Sequence, residues 1–222
     1  MLTNKVALIT GAKGGLGTAV TNAFLKADAT VIGVSRSISA ADFPHSNFTP
    51  IPADLTYPAA SREILTAATA KHPRIDILVH VMGGFAGGQP VDQTTDATLD
   101  EMLSLNFYAA FNVARAIIPV MRAQRWGRIL TVASRQGVEP AANLSAYNAS
   151  KAALVSLTHT IALELKGTGI TANTVLPGAM ATPNNTGSNL VDPAQVAALL
   201  VHLATDAAAH ITGAAIPVYG SQ

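Results

Sequence analysis

The sequence predicts a doubly wound α/β domain, a parallel sheet covered by helices on both faces in a three-layer α/β/α arrangement. Three observations carry that expectation. Segments with strand and helix patterns alternate from one end of the chain to the other. The strand-like runs are apolar throughout instead of alternating with polar residues, as strands covered on both faces must be. The first of them leads through a glycine-rich turn directly into a helical stretch.

Lys5 to Thr10 reads as the first strand, and "GAKGGLG" turns the chain into a helix from Leu16 to Lys26. Ala29 to Arg36 is a second, β-branched strand. The polar "SISAADFPHSNF" behind it is expected to be a proline-bearing loop with no helix. Phe48 to Leu55 is the third strand, reaching Asp54, and a helix follows from Pro58 to Lys71 with the proline near its start. Ile75 to Met82 is the fourth strand. "GGFAGGQPV" must be loop, because its glycines would dissolve either regular element. A long helix from Thr98 to Arg122, a fifth strand from Arg128 to Ser134 and a second long helix from Tyr147 to Leu165 come next. Gly169 to Gly178 is a sixth strand, Asp192 to Thr205 a helix begun near Pro193, and Gly213 to Tyr219 the last strand. No repeat or linker interrupts the 222 residues, enough for one well-buried core, so residues 1–222 read as a single domain.

Composition narrows the function. The chain is 49% hydrophobic and 12% charged, with a formal net charge of +1 and mean hydropathy +0.33. It has no arginine tract and no basic run beside aromatics, so nothing marks a nucleic-acid surface. The absence of cysteine removes disulfides and thiolate metal sites, and the six histidines lack metal-ligand spacing. The apolar run near the start ends in the glycine loop, too early for a signal peptide core. No stretch reads as the roughly 20 apolar residues of a membrane span. A cytoplasmic protein with a small-molecule substrate, and with neither nucleic acid nor membrane as partner, is the expectation.

In "VALITGAKGGLG", Gly11, Gly15 and Gly17 stand between strand and helix. There a pyrophosphate needs backbone without Cβ, and the helix N-terminus at Leu16 favours its charge. The end of the second strand faces the adenine ribose in such a site. A carboxylate there would accept the ribose hydroxyls of NAD, but this chain has Ser35 and then Arg36. Arg36 can fork onto a 2′-phosphate, and Lys13 adds a second positive charge, which favours NADP(H) while leaving NAD(H) possible.

In "SAYNASK", Tyr147 and Lys151 lie four apart and so share a helix face. A free phenol has a pKa near 10, and lowering it by about three units takes roughly 4 kcal/mol of preferential phenolate stabilisation. A lysine ammonium in a partly dry cleft supplies part of this, and a positively charged nicotinamide ring supplies more. Ser134, at the carboxyl end of the fifth strand, is placed to donate to a substrate oxygen.

Taken together the chain resembles the short-chain dehydrogenase/reductase family, from about Lys5 to Gly220. "TGAKGGLG" matches its cofactor loop TGxxxGxG, "ADLT" its adenine-side Asp54 with Leu55, "LNFYAAF" its Asn106, "ILTVASRQG" its Ser134 and "YNASK" its YxxxK pair. "LPGAMATP" looks like the segment along the nicotinamide, with Pro177, Gly178 and Thr182. The resemblance implies a Rossmann-like fold and hydride transfer between a nicotinamide cofactor and a carbonyl or alcohol. In it Tyr147 is general acid/base, Ser134 steadies the oxygen, Lys151 also grips the nicotinamide ribose, and Asn106 holds a relay water for Lys151. It also implies a homodimer or homotetramer built through the two long helices.

Departures from the pattern are informative. Where the family reads NNAG, this chain has "HVMG", which keeps Gly83 beside Val81 but introduces His80, read as structural, and Met82. The loop "GGFAGGQPV" is similar to that of the dihydropteridine reductase branch, which makes pterin reduction an alternative. In that loop Phe85 either seals the turn or stacks on a flat substrate. A nucleotide-binding or regulatory protein without redox chemistry is the other alternative. "PNNTGSNLVDP" is too short for a helical lid, so an open substrate pocket is expected.

Overall fold

The computed structural model describes residues 1–181 and 185–220. Its centre is a sheet of seven parallel strands in the order β3-β2-β1-β4-β5-β6-β7. These are β1 (Val6–Thr10), β2 (Thr30–Ser35), β3 (Phe48–Pro52), β4 (Ile77–His80), β5 (Gly127–Val132), β6 (Ile170–Pro177) and β7 (Ala215–Val218). The helices are α1 (Gly15–Lys26), α2 (Ala60–Lys71), α3 (Asp96–Leu103), α4 (Ala109–Gln124), α5 (Ser145–Glu164) and α6 (Pro193–Ala204). The strand order reverses beside β1, which is paired with β2 on one side and β4 on the other. A ligand crevice therefore opens at the carboxyl ends of β1 and β4.

Two cores account for the uninterrupted apolar strands. Along β1, Ile9 joins Val20 and Phe24 of α1 and Leu200 and Leu203 of α6 in one layer. Its neighbour Leu8 points the other way, into a layer with Ile64 of α2, Val113 and Ile117 of α4, and Ile161 of α5. A strand with period-two side chains must be apolar at every position when it feeds both layers.

Strand ends differ from the sequence reading. β3 stops at Pro52 short of Asp54, and β4 and β7 are shorter than predicted. The loop after β2 does contain a single 3₁₀ turn, Ala40–Asp42, where Ser39 and Asp42 cap each other. The long helix expected over Thr98 to Arg122 runs from Asp96 to Gln124 but is interrupted. Residues Ser104–Tyr108 form a wider π turn in which Ala109 N–H reaches Ser104 O. By length and composition this stretch is apolar enough to cross a membrane, which corrects the sequence reading. Its inner face, with Met102, Ala110, Val113, Ile117 and Met121, is packed in the protein, and Tyr108 and Phe111 lie on its open face. Between residues 185 and 192 there is no helix. Val191 instead pairs with Ala179 and Ala181, closing a short loop after β6.

Candidate active site

At the reversal point the carboxyl ends of β1, β2, β3 and β4 enclose a cleft of about 580 Å³. Gly11, Lys13, Gly15, Leu16 and Gly17 line it from the glycine loop, Ser35 and Arg36 from the end of β2. Asp54 and Leu55 line it after β3, and Val81 and Gly83 after β4. Gly11 has φ +68°, and a Cβ on it would lie 2.8 Å from the Met82 backbone. A Cβ on Gly17 would strike the Gly11 carbonyl. Gly15 differs, because among the described residues nothing outside its own stretch of chain lies within 4 Å of its Cβ position. It leaves the mouth of α1 clear, and the preceding Gly14 offers no side-chain cap, so the first N–H groups of α1 stay available to an anion. Bare backbone at a helix N-terminus, a cleft of about 580 Å³ beside it and Arg36 on its wall fit a dinucleotide.

Lys13 departs from its expected role. Its Nζ is paired with Asp42 at 2.8 Å and donates to Ser37 O at 2.9 Å, so its charge is already compensated. Sequence spacing could not show this, because the partner sits in the turn that replaces a helix after β2. Arg36 is exposed and makes no hydrogen bond or ion pair among the described residues. Asp54 Oδ1 accepts from the Thr56 hydroxyl at 2.7 Å and Thr56 N at 3.0 Å, which holds its carboxyl below the usual range. Pro177 ends β6, and Gly178 packs against the Tyr219 backbone. Thr182 lies outside the described residues.

Beyond Gly83 the cleft meets the second group of residues. Ser134 follows β5 and is buried, and Tyr147 and Lys151 occupy the first two turns of α5. Lys151 Nζ donates to Val132 O at 3.1 Å and lies 6.0 Å from the centre of the Tyr147 ring. A Cβ on Gly83 would stand 3.1 Å from that Nζ and 2.6 Å from Asn106 Oδ1, so glycine is required where the three meet. Asn106 sits in the π turn, fully buried, with its amide spent on neighbours. Oδ1 accepts from Gly84 N at 2.9 Å, while Nδ2 donates to Gly84 O at 3.1 Å and Ser150 Oγ at 3.0 Å. It thereby bolts the turn after β4 to α5.

A family model for short chain dehydrogenases matches residues 5–191. The chain belongs to that family of oxidoreductases. A short-chain dehydrogenase/reductase of Talaromyces verruculosus is 31% identical, covering 98% of this chain and 96% of its own. That alignment runs over 249 positions, more than the 222 residues here, so the relative carries insertions that this chain lacks. The 3-oxoacyl-[acyl-carrier-protein] reductase of Vibrio cholerae is 30% identical, covering 99% and 97%. Among solved structures, gox2181 superposes with a TM-score of 0.90 at 25% identity, covering 98% of this chain and 95% of that one. ElxO with NADP bound has the same fold, with a TM-score of 0.91 at 24% identity over 96% of each chain.

Gln136, which the sequence reading did not single out, and Phe85, which it did, shape the site. Gln136, two positions after Ser134, accepts a hydrogen bond from the serine hydroxyl on Oε1 at 2.7 Å. Phe85 is exposed and sets its ring against Tyr147 edge to face, with centroids 5.0 Å apart, so it packs on the phenol it follows in space. His80 is buried, with Nδ1 3.0 Å from Thr10 Oγ1, and burial with the nearby Lys151 charge lowers it to about 3, keeping it neutral.

Burial also sets the two central groups. It pushes the Tyr147 phenol above its ordinary value, with the nearby Ser134 hydroxyl pulling the other way, and it lowers Lys151 to about 8. The protein's own groups therefore do not make the phenol acidic, contrary to the simplest reading of the pair. Since folding lowers the lysine below its unfolded value, the penalty of burying it is full below about pH 8. That penalty is relieved as pH climbs towards the unfolded value of 10.5. NMR of the lysine side chains in the protein alone is expected to show Lys151 titrating with a midpoint of about 8. An ordinary lysine midpoint would contradict its burial.

Proposed function

We propose that the protein transfers hydride between NADP(H) and a carbonyl or secondary alcohol, with Tyr147 as general acid/base. The observation that carries this reading is Lys151 Nζ standing beside Gly83 at the edge of the cleft, with the Tyr147 ring 6.0 Å from that Nζ and the Ser134 hydroxyl next to the phenol. Bound there, the nicotinamide supplies hydride in one direction and accepts it in the other.

Each residue then has a stated task. The bare loop at Gly11, Gly15 and Gly17 and the start of α1 take the pyrophosphate. Asp54 keeps Oδ2 free of described partners and is the acceptor for the adenine amino group. Arg36, unpaired among the described residues, takes the 2′-phosphate, while Lys13 braces the loop through Asp42. An ammonium has three protons, and Lys151 gives one to Val132 O, so the others remain for the nicotinamide ribose and the relay. Asn106, its amide anchored to Gly84 and Ser150, stands beside that relay. Tyr147 passes its proton to the substrate oxygen. Turning the Gln136 amide presents Nε2 to Ser134, which then donates to the same oxygen.

Leu99, Tyr108 and Phe111 leave apolar surface open on the helices that would pair in a homodimer or homotetramer, and light scattering that shows only monomer would contradict such assembly.

The decisive experiment follows cofactor absorbance and binding in native protein, Tyr147→Phe and Arg36→Ala. Tyr147→Phe is expected to lose turnover by about 10³-fold with cofactor affinity retained. Arg36→Ala is expected to weaken NADPH by at least about tenfold and NADH little. Full turnover in Tyr147→Phe would overturn the mechanism, and equal losses for both cofactors would overturn the phosphate assignment.

A further inference from the structure

Directly after Ser134 a second polar assembly joins two distant parts of the chain. Residues 135 to 139 form one helical turn, closed by Glu139 N–H donating to Arg135 O at 2.8 Å. Arg135 Nε donates to Glu139 Oε2 at 2.7 Å, and its guanidinium lies 4.9 Å from the centre of the Tyr219 ring. Tyr219 OH donates to the other oxygen, Glu139 Oε1, at 3.2 Å. Tyr219 is itself fixed beside Gly178, since Gly178 N donates to Val218 O at 2.9 Å and a Cβ on Gly178 would sit 3.2 Å from Tyr219 O. The assembly thus runs from Ser134 to the turn after β6, the two walls between which the substrate stands in the proposed reaction.

A half-exposed ion pair adds less than about 1 kcal/mol to stability, so stability does not account for a cluster that reaches 80 residues along the chain. Its geometry instead orients a cation. Both oxygens of Glu139 are occupied, one of them at Nε, and the Tyr219 ring takes one face of the guanidinium. Among the described residues Nη1 and Nη2 have no partner. That terminal edge presents parallel N–H donors matched to a carboxylate.

We propose that Arg135 anchors an anionic group of the substrate, which makes the substrate class oxo acids and the matching hydroxy acids. This rests on the carbonyl-reduction reading above. The carbonyl carbon takes the hydride, its oxygen takes the Tyr147 proton, and the carboxylate passes through unchanged on Nη1 and Nη2. Glu139 and Tyr219 are positioning residues for the guanidinium.

The test measures kcat/KM with NADPH for oxo acids whose carboxylate stands progressively farther from the ketone, each beside its methyl ester. At the best length the native protein is expected to prefer the acid by at least about tenfold. Arg135→Met is expected to bring the ratio to about one, and Arg135→Lys to keep part of it, since an ammonium retains charge without the fork. Calorimetry of the corresponding unreactive alkanoates with the NADPH complex reads the same anchor without turnover, with at least about tenfold weaker binding to Arg135→Met. Esters used as well as acids at every length, or alkanoates bound equally by both proteins or by neither, would overturn the proposal and leave carbonyl reduction standing. No turnover of any acid or ester, with alkanoates still bound through Arg135, would overturn carbonyl reduction and keep the anchor.

Discussion

An ammonium held largely out of water is the constraint on which the carboxyl end of this sheet depends. Lys151 is buried with one acceptor among the described residues, the Val132 carbonyl at the end of β5. The space beside it is shared with Asn106 and is kept by the missing side chain of Gly83. Asn106 reaches that space because the helix widens into a π turn at Ser104–Tyr108, and its amide ties the turn after β4 to Ser150 of α5. Sheet end, helix irregularity and glycine meet around one buried charge.

Burial acts on both members of the pair in opposite chemical senses. It favours the neutral phenol and the neutral amine, so Tyr147 is raised while Lys151 is lowered to about 8. A phenol useful at neutral pH needs roughly 4 kcal/mol in the other direction. Coulombic attraction grows in a dry site, so a positive ring near Tyr147 acts strongly there, on a group the protein alone leaves protonated. In the proposed reaction the scaffold therefore leaves the phenol protonated until the cleft is filled, which would tie acid-base chemistry to occupancy of the cleft.

Much of the frame was legible because it follows from local pattern. Apolar strands such as "VALIT" report two covered faces, the glycine spacing reports close backbone approach, and four-residue spacing reports that Tyr147 and Lys151 share a face. What stayed hidden depends on contacts between distant segments. Lys13 is neutralised by Asp42, in a turn where no helix was expected. Ser134 is engaged by Gln136, whose only signal is its place two residues on. The π turn leaves the apolar pattern of its helix nearly unchanged while moving Asn106 onto Gly84. The sign of the Tyr147 shift is a balance of desolvation against charge that no spacing rule weighs.

The central claim is that Tyr147 becomes acidic only when the cleft is filled by the oxidised cofactor. Ultraviolet difference titration of the phenol, with Tyr147→Phe as the blank, tests it directly in protein alone and with saturating NADP⁺. The account predicts ionisation above the ordinary tyrosine value in the first case and clearly below it in the second. The same midpoint in both would contradict it.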